Sequence, residues 1–213
     1  MEFLSALAVI IAALSFVFGV TAWSREFRGK RRIDLAENVL AMFYEAQEVI
    51  TEIRCPASFG GEGTSRPRVD DETEEERKIR DRSYIPFERY KKYEALFSRL
   101  RATKFSFMAM FGTEWATSFN ELAMTVNEVL HAARELGTRF WVDQGRREMT
   151  VAQLEVHQRM MEKYQAIFWE GVKDEDEISQ KIQAAVSRIE AVVENEAEAS
   201  RWWGDRLLGL VRR

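Results

Sequence analysis

Little in this sequence interrupts a helix, and almost nothing in it cross-links or ligates. The 213 residues include one cysteine, two histidines and three prolines, with 11 glycines. Cys55, standing alone, excludes an intramolecular disulfide and fits a reducing compartment. His131 and His157 are too few for a histidine-rich metal centre. So few breakers favour long helices, and no run alternates apolar and polar residues between turn signals, so no sheet is expected. Charge of one sign is also lacking: 31 Lys and Arg stand against 35 Asp and Glu, a net charge of -4. That balance excludes a nucleic-acid binder acting through overall basicity, and no nucleic-acid partner is expected.

What is present begins with an apolar run. From Phe3 to Trp23 no side chain is charged, and at 1.5 Å per residue the segment spans roughly 31 Å, the depth of a bilayer's hydrocarbon core. Residues 1–24 are therefore expected to be one transmembrane anchor. A cleaved signal peptide is the alternative, with Val20 and Ala22 at a peptidase-like spacing. Against it stand Glu2, the absence of Lys or Arg before the run, and the length of the run. Arg25, Arg28, Lys30, Arg31 and Arg32 form a basic collar over residues 25–32. By the positive-inside rule the N-terminus lies outside and residues 33–213 lie in the cytoplasm, with Trp23 at the interface of an inner membrane of prokaryotic style. Ala8, Ala12, Ser15 and Gly19 share one face of the anchor, a small-residue stripe that admits close helix approach and homo-oligomerisation.

The body reads as amphipathic helices. Ala36, Val39, Leu40, Phe43, Ala46, Ile50 and Ile53 recur at three-four spacing, in a helix that can run straight on from the anchor. Cys55-Pro56 ends it, and residues 55–69 read as an exposed loop. Asp70, Asp71, Glu72, Glu74, Glu75 and Glu76 suit the first turns of a short helix. A second long helix is expected from about Pro86 to Met110, with an aromatic face. Trp115, Phe119, Leu122, Val126, Val129, Ala133 and Leu136 form the cleanest stripe, followed by a break near Gly145. Thr150 and Gln153 have capping-box spacing before the next helix, and Ile178, Ile182, Ala185, Ile189 and Val192 mark the last. The fold class expected is all-α: one N-terminal transmembrane helix, then an antiparallel bundle with room for long coiled-coil-like hairpins.

Candidate chemistry is sparse. Glu128 and His131 have the Glu-x-x-His spacing of di-iron bundles, but Leu154 stands where the second copy, ahead of His157, needs glutamate. No metal ligand set results, and His157 reads instead as a hydrogen-bonded core histidine. The loop holding Gly60, Gly61, Gly63, Arg66 and Arg68 has glycines, hydroxyls and bases but lacks the lysine and spacing of a phosphate-binding loop. It suits a tip that meets a protein partner. Cys55 has no histidine near it in sequence to act as its base. No catalytic residue and no cofactor emerge. At the C-terminus Trp202 and Trp203 with Arg206, Arg212 and Arg213 combine the residue types of an interfacial helix bound to membrane lipid, or of a last helix docked in the bundle.

These features together lead us to expect a membrane-anchored cytoplasmic interaction module, the scaffold or subunit of a membrane complex. The alternatives are a membrane-tethered sensor or enzyme, with its site between Phe105 and Trp115 or on the glycine-rich loop, and a regulator that reads membrane charge through the collar and the Trp-Arg tail.

Overall fold

The computed structural model describes the backbone of residues 2–172 and 174–211. It describes the side chains of residues 15–17, 19–21, 23, 24, 26–172 and 174–199. Among these residues every regular element is helical: α1 (Glu2–Arg54), α2 (Glu74–Lys92), α3 (Glu94–Phe111), a 3₁₀ turn (Thr113–Trp115), α4 (Ala116–Glu135), a π turn (Leu136–Phe140), α5 (Trp141–Asp143), α6 (Val151–Phe168) and α7 (Glu177–Val211). The all-helical expectation holds, and the first amphipathic stripe does belong to a helix that begins before it, at Glu2. The chain divides into two compact units, Met1–Asn38 with Glu190–Arg213, and Val39–Ile189.

In the larger unit the expected stripes are the core. Val39, Phe43, Ala46, Ile50 and Ile53 of α1, Phe119, Leu122, Val126, Val129 and Ala133 of α4, and Ile178, Ile182, Ala185 and Ile189 of α7 are all buried. Each large apolar side chain removed from water stabilises the unit by about 1.5–3 kcal/mol. Phe43 meets Phe119 edge-to-face at 5.1 Å, which fixes α1 against α4. α4 also packs on α2, α3 and α6.

Local chemistry sets the helix ends. Thr150 and Gln153 form the capping box read from the sequence, and Thr73 with Glu76 forms another that starts α2 well ahead of Pro86. Asp176 accepts hydrogen bonds from the backbone N–H groups of Ile178 (3.0 Å) and Ser179 (3.3 Å) and so caps α7. The single helix expected from Pro86 to Met110 is instead two, because Tyr93 N–H closes a tighter turn on the Tyr90 carbonyl (3.0 Å) and redirects the chain. After α4 the chain widens into the π turn. There Gly137 lies so close to α2 that a Cβ at this position would come within 1.9 Å of Ser83 Oγ.

Arg54, the last residue of α1, is 1% exposed. Its guanidinium donates to the carbonyls of Ala166 (3.0 Å), Ile167 (2.8 Å) and Trp169 (3.0 Å) and to Asp176 Oδ2 (2.7 Å). One side chain thereby supplies donors to carbonyls at the end of α6, where the helix dipole favours a cation. Glu170 N–H donates in return to the Arg54 carbonyl (3.1 Å).

In the smaller unit Ala36 and Val192 are buried, and Arg32 holds Glu196 through two parallel hydrogen bonds of 2.9 and 2.6 Å. Phe16, Val17, Val20, Trp23 and Phe27 are exposed, and the rings of Trp23 and Phe27 stack at 5.8 Å. Among the described residues no helix is long and apolar enough to cross a membrane. Most of the Phe3–Trp23 run, Ala8 and Ala12 included, has side chains outside the described residues. So do Arg25, Trp202, Trp203 and Arg206, and Arg212 and Arg213 lie outside altogether.

Candidate functional site: a glycine-rich loop clamped by buried arginines

The segment between α1 and α2 has enough hydrogen bonds to hold one shape. Arg89 of α2, 3% exposed, reaches under the loop. It donates to the carbonyls of Glu52 (2.8 Å), Cys55 (2.8 Å) and Ala57 (2.6 Å), and grips both oxygens of Glu62 (3.1 and 2.7 Å). The end of α1 and the start of the loop are thus satisfied by a single planar fork, whose rigid donors suit several acceptors at once. That hydrogen bond from Arg89 is the main reason the Glu62 carboxyl titrates below its usual range.

Arg66 closes the other end of the loop. Its guanidinium meets Glu72 with two hydrogen bonds (2.7 and 2.5 Å) and Asp81 with a third (2.7 Å). Arg80 adds a bond to Glu72 (2.8 Å), and Arg68 adds one to Asp81 (2.8 Å). The hydrogen bond from Arg66, with Arg80 behind it, pulls the Glu72 carboxyl down to about 2. The hydrogen bond to Glu72, with that to Asp81, raises the Arg66 pKa in turn. Each charge in this network has an opposite partner, the condition under which buried ions persist.

Between these clamps Gly63 passes against α2. Its φ is +83°, and a Cβ there would sit 1.8 Å from the Asp81 carbonyl oxygen, so both backbone conformation and space call for glycine. The N–H groups of Gly63 and Ser65 donate to the two oxygens of Glu88 at 2.6 and 2.8 Å. Burial pushes the Glu88 carboxyl up, but the hydrogen bonds from Ser65 and Gly63 outweigh it and the net shift is downward. Amides that would cradle a phosphate in a binding loop hold the chain's own carboxylate here.

The structure thus separates the sequence-predicted loop residues. Gly63 and Arg66 are buried and internal, whereas Gly60, Gly61 and Arg68 are exposed. Beside the two exposed glycines stands Phe59, 83% exposed. Glycines 60 and 61 have open space where a side chain would be. A recess of about 400 Å³ lies beside the loop's end, lined by Arg68, Val69, Asp70, Asp71, Glu72 and Arg77. Its lining mixes two arginines with three acids.

The remaining sequence candidates lie apart. His157 is buried and its Nε2 lies 3.2 Å from the Phe140 carbonyl, the hydrogen-bonded core histidine expected. Glu128 binds Lys181 (2.6 Å), while His131 is exposed and meets the Tyr164 ring edge-on. Among the described residues no three His, Cys, Asp or Glu side chains gather as a metal site. In the aromatic stretch, Phe107 is buried against Phe111 (4.5 Å) and Phe119 (5.5 Å), so those rings fill space. Cys55 is half-buried and its carbonyl serves Arg89. Arg32, read from sequence as part of the lipid-facing collar, is joined to Glu196, while Arg28, Lys30 and Arg31 are exposed.

Sequence reading missed Arg54, Arg89, Glu62, Glu72, Asp81 and Glu88. One usable signal existed: Arg89 falls four residues after Ile85, on the stripe of α2 that is buried, where a charge has to be matched. No protein-family model matches the chain, and no curated protein or solved structure matches it.

Proposed function

We propose that the chain is a membrane-anchored cytoplasmic helical interaction module, the scaffold or subunit of a membrane complex, with the loop tip around Phe59 meeting a protein partner. The observation that carries this reading is the asymmetry of the loop. Its inner side is tied down by Arg89, Arg66 and Glu88, while its outer side offers a large apolar ring beside two sterically open glycines. A loop ordered in advance loses little conformational entropy on binding, so an exposed aromatic on it is an efficient anchor. The uncharged run from Phe3 to Trp23 and the basic residues after it support the tether and its orientation, with the N-terminus outside. Membrane lipid is then a partner by default, and the small-residue stripe Ala8, Ala12, Ser15 and Gly19 supports self-association within the bilayer.

The test is affinity capture of the tagged full chain from its native membrane in mild detergent, read by mass spectrometry. The reading expects a stoichiometric protein that is lost with Phe59→Asp. Recovery of the same proteins with both forms would remove the loop from the proposal. A C-terminal alkaline phosphatase fusion that is active, with a dark fluorescent-protein fusion, would overturn the orientation.

A further inference from the structure

On the larger unit a second surface is built from rings and unmatched cations. Phe87 of α2, Trp141 of α5 and Trp169 all pack against one buried cluster of Ala133, Leu136, Phe140 and Phe168, and each is half-buried. Tyr84 stacks on Phe87 at 5.4 Å. Over these rings lie two exposed guanidiniums. Arg82 is 5.2 Å from the Trp141 centroid and 5.1 Å from that of Trp169, and Arg134 of α4 is 5.9 Å from Phe87. Cation–π contact accounts for their placement.

Neither arginine has a carboxylate partner among the described residues. The acids nearest to them on α2 are spent elsewhere: Asp81 on Arg66 and Arg68, and Glu88 on the amides of Gly63 and Ser65. A guanidinium placed over a ring by cation–π contact retains N–H donors for two-pronged binding of a carboxylate. Trp, Tyr and Arg together are the residue types that dominate protein–protein binding energy. Two guanidiniums on a chain of net charge -4 are too few for a phosphate backbone.

We infer that this arginine-capped aromatic seam between α2 and α4–α5 docks an acidic segment of a partner protein. Its carboxylates bind Arg82 and Arg134, and an apolar side chain lies against Trp141 or Phe87. The segment recognised therefore carries two carboxylates close together and an apolar residue beside them. The inference rests on the interaction-module reading and adds to it a surface separate from the loop tip.

The experiment is selection of a random displayed peptide library against the full chain in lipid nanodiscs, with an oligouridylate and inositol hexakisphosphate as parallel probes. Selected peptides should carry at least two acids close to an apolar residue. Their affinity should fall at least about tenfold in the Arg82→Gln/Arg134→Gln double variant and weaken with added salt. It should stay level in Arg101→Gln/Arg159→Gln, which removes the same total charge from exposed positions on α3 and α6. The Arg82→Lys/Arg134→Lys pair, which keeps the charge and lacks the fork, should fall in between. Thermal melting within a few degrees of the parent checks that each variant is folded. Peptides without acids, acidic peptides indifferent to the double variant, or no selected peptides would overturn the seam. So would arginine-dependent binding of either phosphate probe in place of peptides. Peptides lost instead with Phe59→Asp would sink the seam while leaving the interaction module standing.

Discussion

Arg89 offers the sharpest test of how this fold is held. In Arg89→Met a side chain of similar length keeps the packing of the stem, but five hydrogen bonds disappear: two to Glu62 and one each to the carbonyls of Glu52, Cys55 and Ala57. Removing one member of a buried ion pair costs about 3–5 kcal/mol, because the carboxylate left behind keeps only the Phe59 N–H (3.1 Å) and the more distant Lys92 (4.0 Å). The stranded carbonyls regain water if the loop lifts, which keeps the total inside that range rather than adding a full penalty for each. At about 2–4 °C per kcal/mol for a unit of this size, the melting temperature should fall by about 6–20 °C. Circular dichroism melts and urea titrations of the full chain measure this, and hydrogen exchange at Gly63 and Ser65 should accelerate as the loop loosens. Arg89→Lys should recover only part of the loss, since a point charge cannot serve four acceptor groups in one plane. Glu62→Gln in the Met background removes the stranded charge, so the double variant should cost at least about 1 kcal/mol less than the two single costs together. Arg89→Met costing under about 1 kcal/mol, or strictly additive single changes, would refute the clamp.

Acid should act through the same network. The Glu72 carboxyl is held near 2 by Arg66, and Glu62, Glu88 and Asp176 are also lowered. Their stabilisation is therefore complete above the ordinary carboxylate range and is lost as pH falls through the folded values. Urea unfolding should be level from about pH 7 to 5 and weaken from about pH 5 toward 2, less steeply in Glu72→Gln; stability unchanged down to pH 3 would contradict this. Gly63→Ala should cost about 2–4 kcal/mol by thermal melting, through its left-handed φ and the collision with the Asp81 carbonyl. A loss under 1 kcal/mol would mean that the loop does not sit there. Gly137→Ala should destabilise through contact with Ser83, and Ser83→Gly should restore part of that loss. Simple addition of the two effects would break the proposed contact.

The helices were legible because burial repeats with the helical period. In α4 and α7 the residues expected inside, such as Phe119, Val126, Ile182 and Ile189, are those removed from water. Thr150 and Gln153 were legible for a related reason: both halves of a capping box lie within one turn. The break at Tyr93 carried no such mark, since neither Gly nor Pro stands there and a tighter backbone turn makes it. Arg54 finds Asp176, and Arg89 finds Glu62, across spans of sequence that no periodicity connects. Charged residues are almost never fully buried unless paired, so composition assigns them to the surface until the fold supplies the pair. Glycine was ambiguous in another way. Gly61 and Gly63 both have positive φ, but only Gly63 has a backbone atom where its side chain would be, and no local pattern separates conformational freedom from close approach.

The net charge of -4 excludes a partner drawn by overall basicity, but it does not set the sign of any one face. Helix α2 shows how the two come apart. Asp81 and Glu88 turn toward the loop, where arginines and amides neutralise them, while Arg82, one residue after Asp81, lies over Trp141 and Trp169 with no acid opposite. Spending acids on one side of a helix leaves its other side locally basic, although acids outnumber bases in the chain as a whole. The clamp and the seam are therefore linked through Asp81. Asp81→Asn should loosen the loop, seen as faster exchange at Ser65, yet leave Arg82 on its rings, with tryptophan fluorescence and acidic-peptide affinity at their parent values. A fall in that affinity as large as the one in Arg82→Gln would show that Asp81 positions the arginine, and that the two faces of α2 are not independent.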